Sequence, residues 1–365
     1  VVLVRFTALV AVFVAAFVIT KVQADEPAVR LATVEAPRAA AVPHRNGMFL
    51  GAAVHGPALD ARGYRAALVQ HFTAVTPENG LKLAPHWRPG GFDWSEADAI
   101  AKVARDGGLG MRLHTLVWEQ PDGLLPGMAQ LSPETCRARL TDHIRATMDR
   151  YADVAVSVDV VNEPLNHRGA VTMTRWTKCL DADVFDLAFR TARAALDARG
   201  RYDVALAINE FGTLSPGPKT DALWRLVRDL RARGVPVDTV GFQAHLTVDD
   251  APTRAQLVAT FRRFADEGFK VEVTELDVSV ASRRLSPAAA LARQAQIAED
   301  VVSACLEGAG ARCAGVTTWG VTDAWAWRRR EVPGTRDTPV LLDEDGRPKP
   351  MYNAISGLLA AASPR

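Results

Sequence analysis

The sequence predicts a single (β/α)₈ barrel of the TIM type. Three observations carry this. Strand-like apolar runs and amphipathic helical patterns alternate eight times along the chain. The first strand leads into Gly51-Ala52-Ala53-Val54-His55-Gly56, without the Gly-x-Gly-x-x-Gly turn of an open dinucleotide-binding sheet. Amides, histidines, carboxylates and tryptophans collect at the ends of the runs, where barrel enzymes keep their chemistry.

The first element in order is not part of the barrel. Arg5 precedes an apolar run from Phe6 to Ile19, followed by Lys21 and Val22-Gln23-Ala24. That order reads as a secretory signal over residues 1–24, cleaved after Ala24, with an uncleaved anchor as the alternative. Residues 25–46 are rich in Ala, Pro and Val and read as a linker or poorly ordered arm. The catalytic domain is expected over 47–365.

Strands are expected at 48–54, 72–76, 110–118, 155–162, 203–209, 237–245, 270–276 and 314–320. Helices are expected at 58–70, 95–107, 133–151, 181–199, 219–233, 252–267, 287–307 and 351–362. Ser95, Ser132 with Pro133 and Glu134, and Thr220 or Asp221 are the expected caps. The fourth strand shows the logic best. Val158, Val160 and Val161 suit a strand buried on both faces, and Pro164 ends its pairing. A carboxylate, Glu163, is thereby delivered to the rim.

Composition excludes several classes. The chain is 48% hydrophobic and 23% charged, with 43 basic and 42 acidic residues, so no global bias points to nucleic acid. Arg328-Arg329-Arg330 reads as a solvated face. No stretch beyond the N-terminal run is apolar enough to span a membrane. Export permits disulfides, and local spacing favours Cys305–Cys313, which leaves Cys136–Cys179; four buried free thiols are the alternative. No metal-ligand spacing is evident and no cofactor is expected.

The rim residues suit glycoside hydrolysis. Sugars offer hydroxyls to amides, His and Lys, and apolar faces to Trp. Cleavage needs two carboxyl groups flanking the bond. Glu163 and Glu275, from strands four and seven, are the expected pair. Asn162 is placed to donate to a neighbouring hydroxyl, and Asp277 to hold a histidine such as His245. Glu78, with Asn79 and Lys82, suits binding better than proton transfer.

Eight ordered segments then resemble glycoside hydrolase family 10, the endo-1,4-β-xylanases. They are T-P-E-N-G-L-K (76–82), R-L-H-T-L-V-W (112–118), D-V-V-N-E-P (159–164), A-I-N-E-F (207–211), V-G-F-Q-A-H-L (240–246), V-T-E-L-D-V (273–278), T-W-G-V-T-D-A-W-A-W-R (318–328) and L-L-D-E-D-G-R-P-K-P-M-Y (341–352). The resemblance implies a retaining xylanase with Glu163 as acid/base and Glu275 as nucleophile. It implies that His114, Trp118, Asn162, Gln243, His245 and Trp319 hold the sugar at the cleavage point. Glu78, Asn79, Lys82, Gln120 and Trp327 would hold the next sugar on the non-reducing side, with Asn209 and Asp277 in support. Xylan or xylo-oligosaccharide is the expected partner, the enzyme secreted or periplasmic and monomeric.

The chain also departs from the family pattern. Gly80 and Leu83 stand for Glu and Trp in T-x-E-N-E-M-K-W, and Leu113 stands for Gly before His114. The segment after Trp118 is shortened to Glu119-Gln120, and Asn209-Glu210-Phe211 replaces N-D-Y. A related β-glycanase is therefore one alternative; a non-catalytic sugar-binding barrel is another, against which the presence of both Glu163 and Glu275 argues.

Overall fold

The computed structural model describes residues 48–125, 127–172, 175–181, 183–331 and 337–360. The expected signal (1–24) and arm (25–46) lie outside the described residues. Eight strands form one closed barrel. They are β1 (Phe49–Val54), β2 (Ala74–Pro77), β3 (Gly110–Leu113), β4 (Ala155–Asn162), β5 (Ala205–Glu210), β6 (Thr239–Phe242), β7 (Lys270–Ser279) and β8 (Cys313–Thr318). Each pairs in parallel with the next in chain order, and β8 returns to β1. Closure leaves the barrel no free edge.

One long helix follows each strand: α1 (Tyr64–His71), α2 (Ser95–Gly107), α3 (Pro133–Tyr151), α4 (Asp183–Asp197), α5 (Pro218–Ala232), α6 (Arg254–Asp266), α7 (Pro287–Ala309) and α8 (Pro350–Ala360). They form the outer layer and bury one apolar stripe each. On α6, Phe261 and Phe264 meet Phe242 of β6 edge-to-face at 5.1 and 5.3 Å. Each such buried ring stabilises the fold by about 1.5–3 kcal/mol. Ser132 caps α3 as expected, its hydroxyl accepting from the Thr135 N–H. The other two caps differ. α2 begins after Trp94, with Asp93 rather than Ser95 accepting the first N–H, at 3.1 Å. α5 begins at Pro218, ahead of Thr220 and Asp221, because proline suits the first helical turn.

Both expected disulfides are present. Cys136–Cys179 ties α3 to the short helix Arg175–Leu180, and Cys305–Cys313 ties α7 to the start of β8. Crosslinking over 43 residues removes about 4 kcal/mol of unfolded-chain entropy.

Two expected strands break at the carboxyl rim. The third ends at Leu113 and resumes as Val117–Trp118, beside Val161 and Asn162. The sixth ends at Phe242 and resumes as His245–Thr247, beside Asp277 to Ser279 of β7. Ala244, between the two pieces, takes a left-handed φ of 63°. Period-2 patterning cannot reveal such bends, because the side chains stay apolar or polar in turn on either side of them.

The barrel interior carries buried charge. Arg112 on β3 forms a two-pronged pair with Asp159 on β4 and donates to Glu272 on β7 at 3.0 Å. All three are essentially inaccessible to solvent. Ser157 adds a hydrogen bond to Glu272 at 3.2 Å. A buried cation is tolerable here because two carboxylates satisfy it. This cluster ties together the strands that deliver Glu163 and Glu275. At the other end of the chain, the buried Lys349 pairs with Asp323 at 2.9 Å and donates to the Val340 carbonyl. The Lys-Pro tail thus anchors the loop after β8.

Candidate active site

Register brings the site together. Asn162 lies opposite Asn209, and Asn209 opposite Gly241, on β4, β5 and β6. A Cβ at residue 241 would stand 2.5 Å from Asn209 Oδ1, so only glycine leaves that amide its place. Thr274 donates its hydroxyl to Asn209 Oδ1 at 2.6 Å. The amide is thereby oriented, and its Nδ2 donates to Asn162 Oδ1 at 2.9 Å and to Glu275 Oε1 at 2.7 Å.

Glu163 sits at the end of β4, half-buried, with a left-handed φ of 54°. A non-glycine residue in that region costs about 1–2 kcal/mol. Three contacts offset it. Its N–H donates to the Asn209 carbonyl at 2.8 Å. Its carboxylate accepts from Trp118 Nε1 at 2.9 Å and from Gln243 Nε2 at 3.0 Å. Gln243 Nε2 also lies 3.5 Å from Asn162 Oδ1. Glu163 and Glu275 are therefore joined through the three amides Asn162, Asn209 and Gln243.

Glu275 is buried on β7, and His245 Nε2 lies 3.1 Å from its Oε2. Burial alone would raise its pKa. The hydrogen bond from His245 and the surrounding positive charge outweigh that, and the carboxyl is held below its ordinary value. His245 is fixed from its other nitrogen by Asp277, at 3.0 Å. Burial opposes charge on the imidazole, but Asp277 and Glu275 together push its pKa up to about 10. Asp277 is itself buried and also accepts from Trp327 Nε1 and, at 3.0 Å, from Arg328.

His114, on the bend after β3, lies with Nδ1 2.8 Å from Asp159, and its ring meets Trp319 edge-on at 5.2 Å. His245 meets Trp319 and Trp327 edge-on at 6.2 and 5.3 Å. On the next side of the rim, Lys82 Nζ donates to Asn79 Oδ1 at 3.0 Å and lies 4.8 Å from the centre of the Trp118 ring. Asn79 Nδ2 lies 3.4 Å from Glu78 Oε1, which also accepts from Arg330. An open cavity of about 510 Å³ adjoins Gln243 and His245, bounded by Phe211 and Leu246.

One chain of contacts thus runs around the rim through all but one of the expected site residues. The exception is Gln120, exposed at the head of the single turn Pro121–Gly123. The shortened segment gives that register to Glu119, which is buried and accepts from the Trp176 and Thr177 N–H groups at 3.2 and 3.0 Å. The expectation of a solvated Arg328-Arg329-Arg330 is corrected. The three guanidiniums pair with Asp277, Glu344 and Glu78, and their side chains are only 22–26% exposed. Sequence reasoning also missed Arg112, Asp159 and Glu272. Their signal was present: charged residues in apolar strand runs at positions that face the barrel interior.

The sequence model of glycosyl hydrolase family 10 matches residues 39–358. Endo-1,4-beta-xylanase 5 of Pyricularia oryzae is 36% identical over 296 residues, covering 80% of this chain and 70% of that protein. A thermostable celloxylanase of Thermoclostridium stercorarium is 31% identical over 311 residues, covering 78% and 79%. Among solved structures, Penicillium canescens endo-1,4-beta-xylanase XylE superposes with a TM-score of 0.79 at 30% identity, covering 88% of this chain and 96% of that one. Xylanase 10B of Thermotoga petrophila, solved with xylobiose, gives 0.78 at 25% identity over 87% and 95%.

Proposed function

The chain belongs to glycosyl hydrolase family 10, and from that premise we propose that it is a retaining endo-1,4-β-xylanase. The observation that carries the mechanism is the shared amide network. Asn162, Asn209 and Gln243 join Glu163 and Glu275, which come from strands β4 and β7. Retaining glycosidases hold their two carboxyl groups about 5–5.5 Å apart, with no room for water between them. A network of directly bonded amides suits that spacing.

The roles follow from environment. Glu275, buried and held ionised beside the charged His245, attacks the anomeric carbon and forms the glycosyl-enzyme. Glu163 protonates the departing glycosidic oxygen, then takes a proton from the water that releases the sugar. Trp118 and Gln243 aim its carboxyl. His114, Asn162 and His245 bind hydroxyls of the sugar at the cleavage point, against Trp319. Glu78, Asn79, Lys82 and Trp327 bind the next sugar on the non-reducing side.

Secretion belongs to the same proposal. Two disulfides suit an oxidising compartment, and residues 1–24 would direct export. A second reading is favoured by one comparison: a celloxylanase is among the relatives, so cleavage of β-1,4-glucan merits a parallel assay.

The test is digestion of xylan followed in time by proton NMR, beside carboxymethyl-cellulose. The expected result is internal cleavage with the β-anomer appearing first, abolished in Glu275→Ala. First appearance of the α-anomer would overturn the double displacement. Absence of new reducing ends from any xylan would overturn the activity.

A further inference from the structure

Of the three consecutive arginines, Arg330 is the one that pairs with Glu78, at the end of β2. Its guanidinium also donates to the Trp325 carbonyl. The Trp325 ring stacks on His55 at 5.9 Å and 28°. His55 Nδ1 lies 3.9 Å from the other oxygen of Glu78. Arg330, Trp325, His55 and Glu78 therefore close a ring of contacts that crosses from the loop after β8 to the loops after β1 and β2.

We propose that Arg330 is the positioning residue for the second sugar on the non-reducing side. It fixes one oxygen of Glu78 and leaves the other, with His55, to bind a neutral pyranose hydroxyl. The inference rests on the xylanase reading above.

The occupancy of the two oxygens carries the argument. Glu78 Oε1 is taken by Arg330 and Asn79. Among the described residues, the group recorded beside Oε2 is His55, at a distance too long for a direct hydrogen bond and within the span of one bridging hydroxyl. His55 Nδ1 is buried with no hydrogen-bond partner among the described residues. A buried polar atom is seldom left so, and a ligand hydroxyl bridging it to Glu78 Oε2 would satisfy it.

Charge points the same way. Burial pushes the Glu78 carboxyl above its ordinary pKa, against the pull of Arg330, Lys82 and Asn79. His55 is driven down to about 4, by burial and then by Arg330, so it is neutral at neutral pH. The groups facing Glu78 are thus Arg330 from the last loop, Lys82 from its own loop, neutral His55 from the end of β1 and the neutral Tyr64 phenol from α1. Arg330 is the cation in direct contact. Without it, the acceptor that the second sugar needs becomes easier to protonate.

The test uses aryl β-xyloside, which engages one sugar, and aryl β-xylobioside, which engages two. In Arg330→Ala, the ratio of kcat/KM on xylobioside to that on xyloside should fall about tenfold or more. The acid limb of kcat/KM on xylobioside should move to higher pH, as Glu78 protonates earlier. Arg330→Lys should restore much of both, since it keeps the charge. An unchanged ratio, with both substrates losing equally or neither changing, overturns the inference and makes the pair a loop anchor only. Hydrolysis of neither glycoside by the unmodified protein overturns the xylanase reading, and the inference falls with it.

Discussion

Asp277→Asn tests the electrostatic core of the site most directly. His245 stands between two carboxylates, with Nδ1 3.0 Å from Asp277 and Nε2 3.1 Å from Glu275. Its pKa is raised from 6.5 to about 10. At 1.36 kcal/mol per unit, that displacement corresponds to about 5 kcal/mol favouring the charged imidazole. Asp277 supplies the largest opposing contributions to the burial that would otherwise neutralise the ring. Removing its charge should lower the His245 pKa toward its ordinary value. The sign of the stability effect follows. A folded pKa above the unfolded value stabilises fully below pH 6.5, and the contribution is lost as pH rises through about 10. The variant should lose it at lower pH, and should have less of it below pH 6.5. The assay is an NMR titration of the imidazole nitrogens, paired with urea unfolding at neutral pH and at pH 9.5. A wild-type His245 that titrates near 6.5 would refute the reasoning. Since His245 donates to Glu275, the same substitution should move the acid limb of activity upward.

The remaining expectations are simpler. Glu163→Ala should cut kcat on xylan by roughly 10²–10⁴, and much less on aryl glycosides whose leaving groups need no proton; equal losses on both would refute the acid role. Gly241→Ala places a methyl group 2.5 Å from Asn209 Oδ1, so kcat should fall with little change in secondary structure by circular dichroism. Arg112→Met leaves Asp159 and Glu272 buried without their cation, which should cost about 3–5 kcal/mol in denaturant unfolding. Cys136→Ser with Cys179→Ser should lower stability by about 2–4 kcal/mol, read as a drop in Tm that reductant deepens only through the remaining Cys305–Cys313 bond.

The sequence by itself determined the barrel. Eight alternating runs left few other ways to bury their apolar faces, and the structure has eight parallel strands with a helix after each. It also singled out Glu163 and Glu275 as the proposed catalytic pair, because a carboxylate at the end of a buried strand has a short list of uses. Both disulfide pairs were legible from spacing. Element ends were less so. The breaks after Leu113 and Phe242 depend on how the rim bends, and local patterning carries no record of that.

Only the tertiary structure decided partnership. Asn209 orients between Thr274, Asn162 and Glu275 because β4, β5 and β7 bring those side chains to one level. Arg112 pairs with two carboxylates 47 and 160 residues away. Three arginines that read as a solvated run each found a separate carboxylate, one of them 252 residues earlier in the chain. Hydrogen bonds and ion pairs act over a few ångströms in space, and chain separation says nothing about that distance until the barrel closes. The sequence could therefore name the groups proposed to do the chemistry. Their charge states and orientations were set only when distant strands supplied the neighbours.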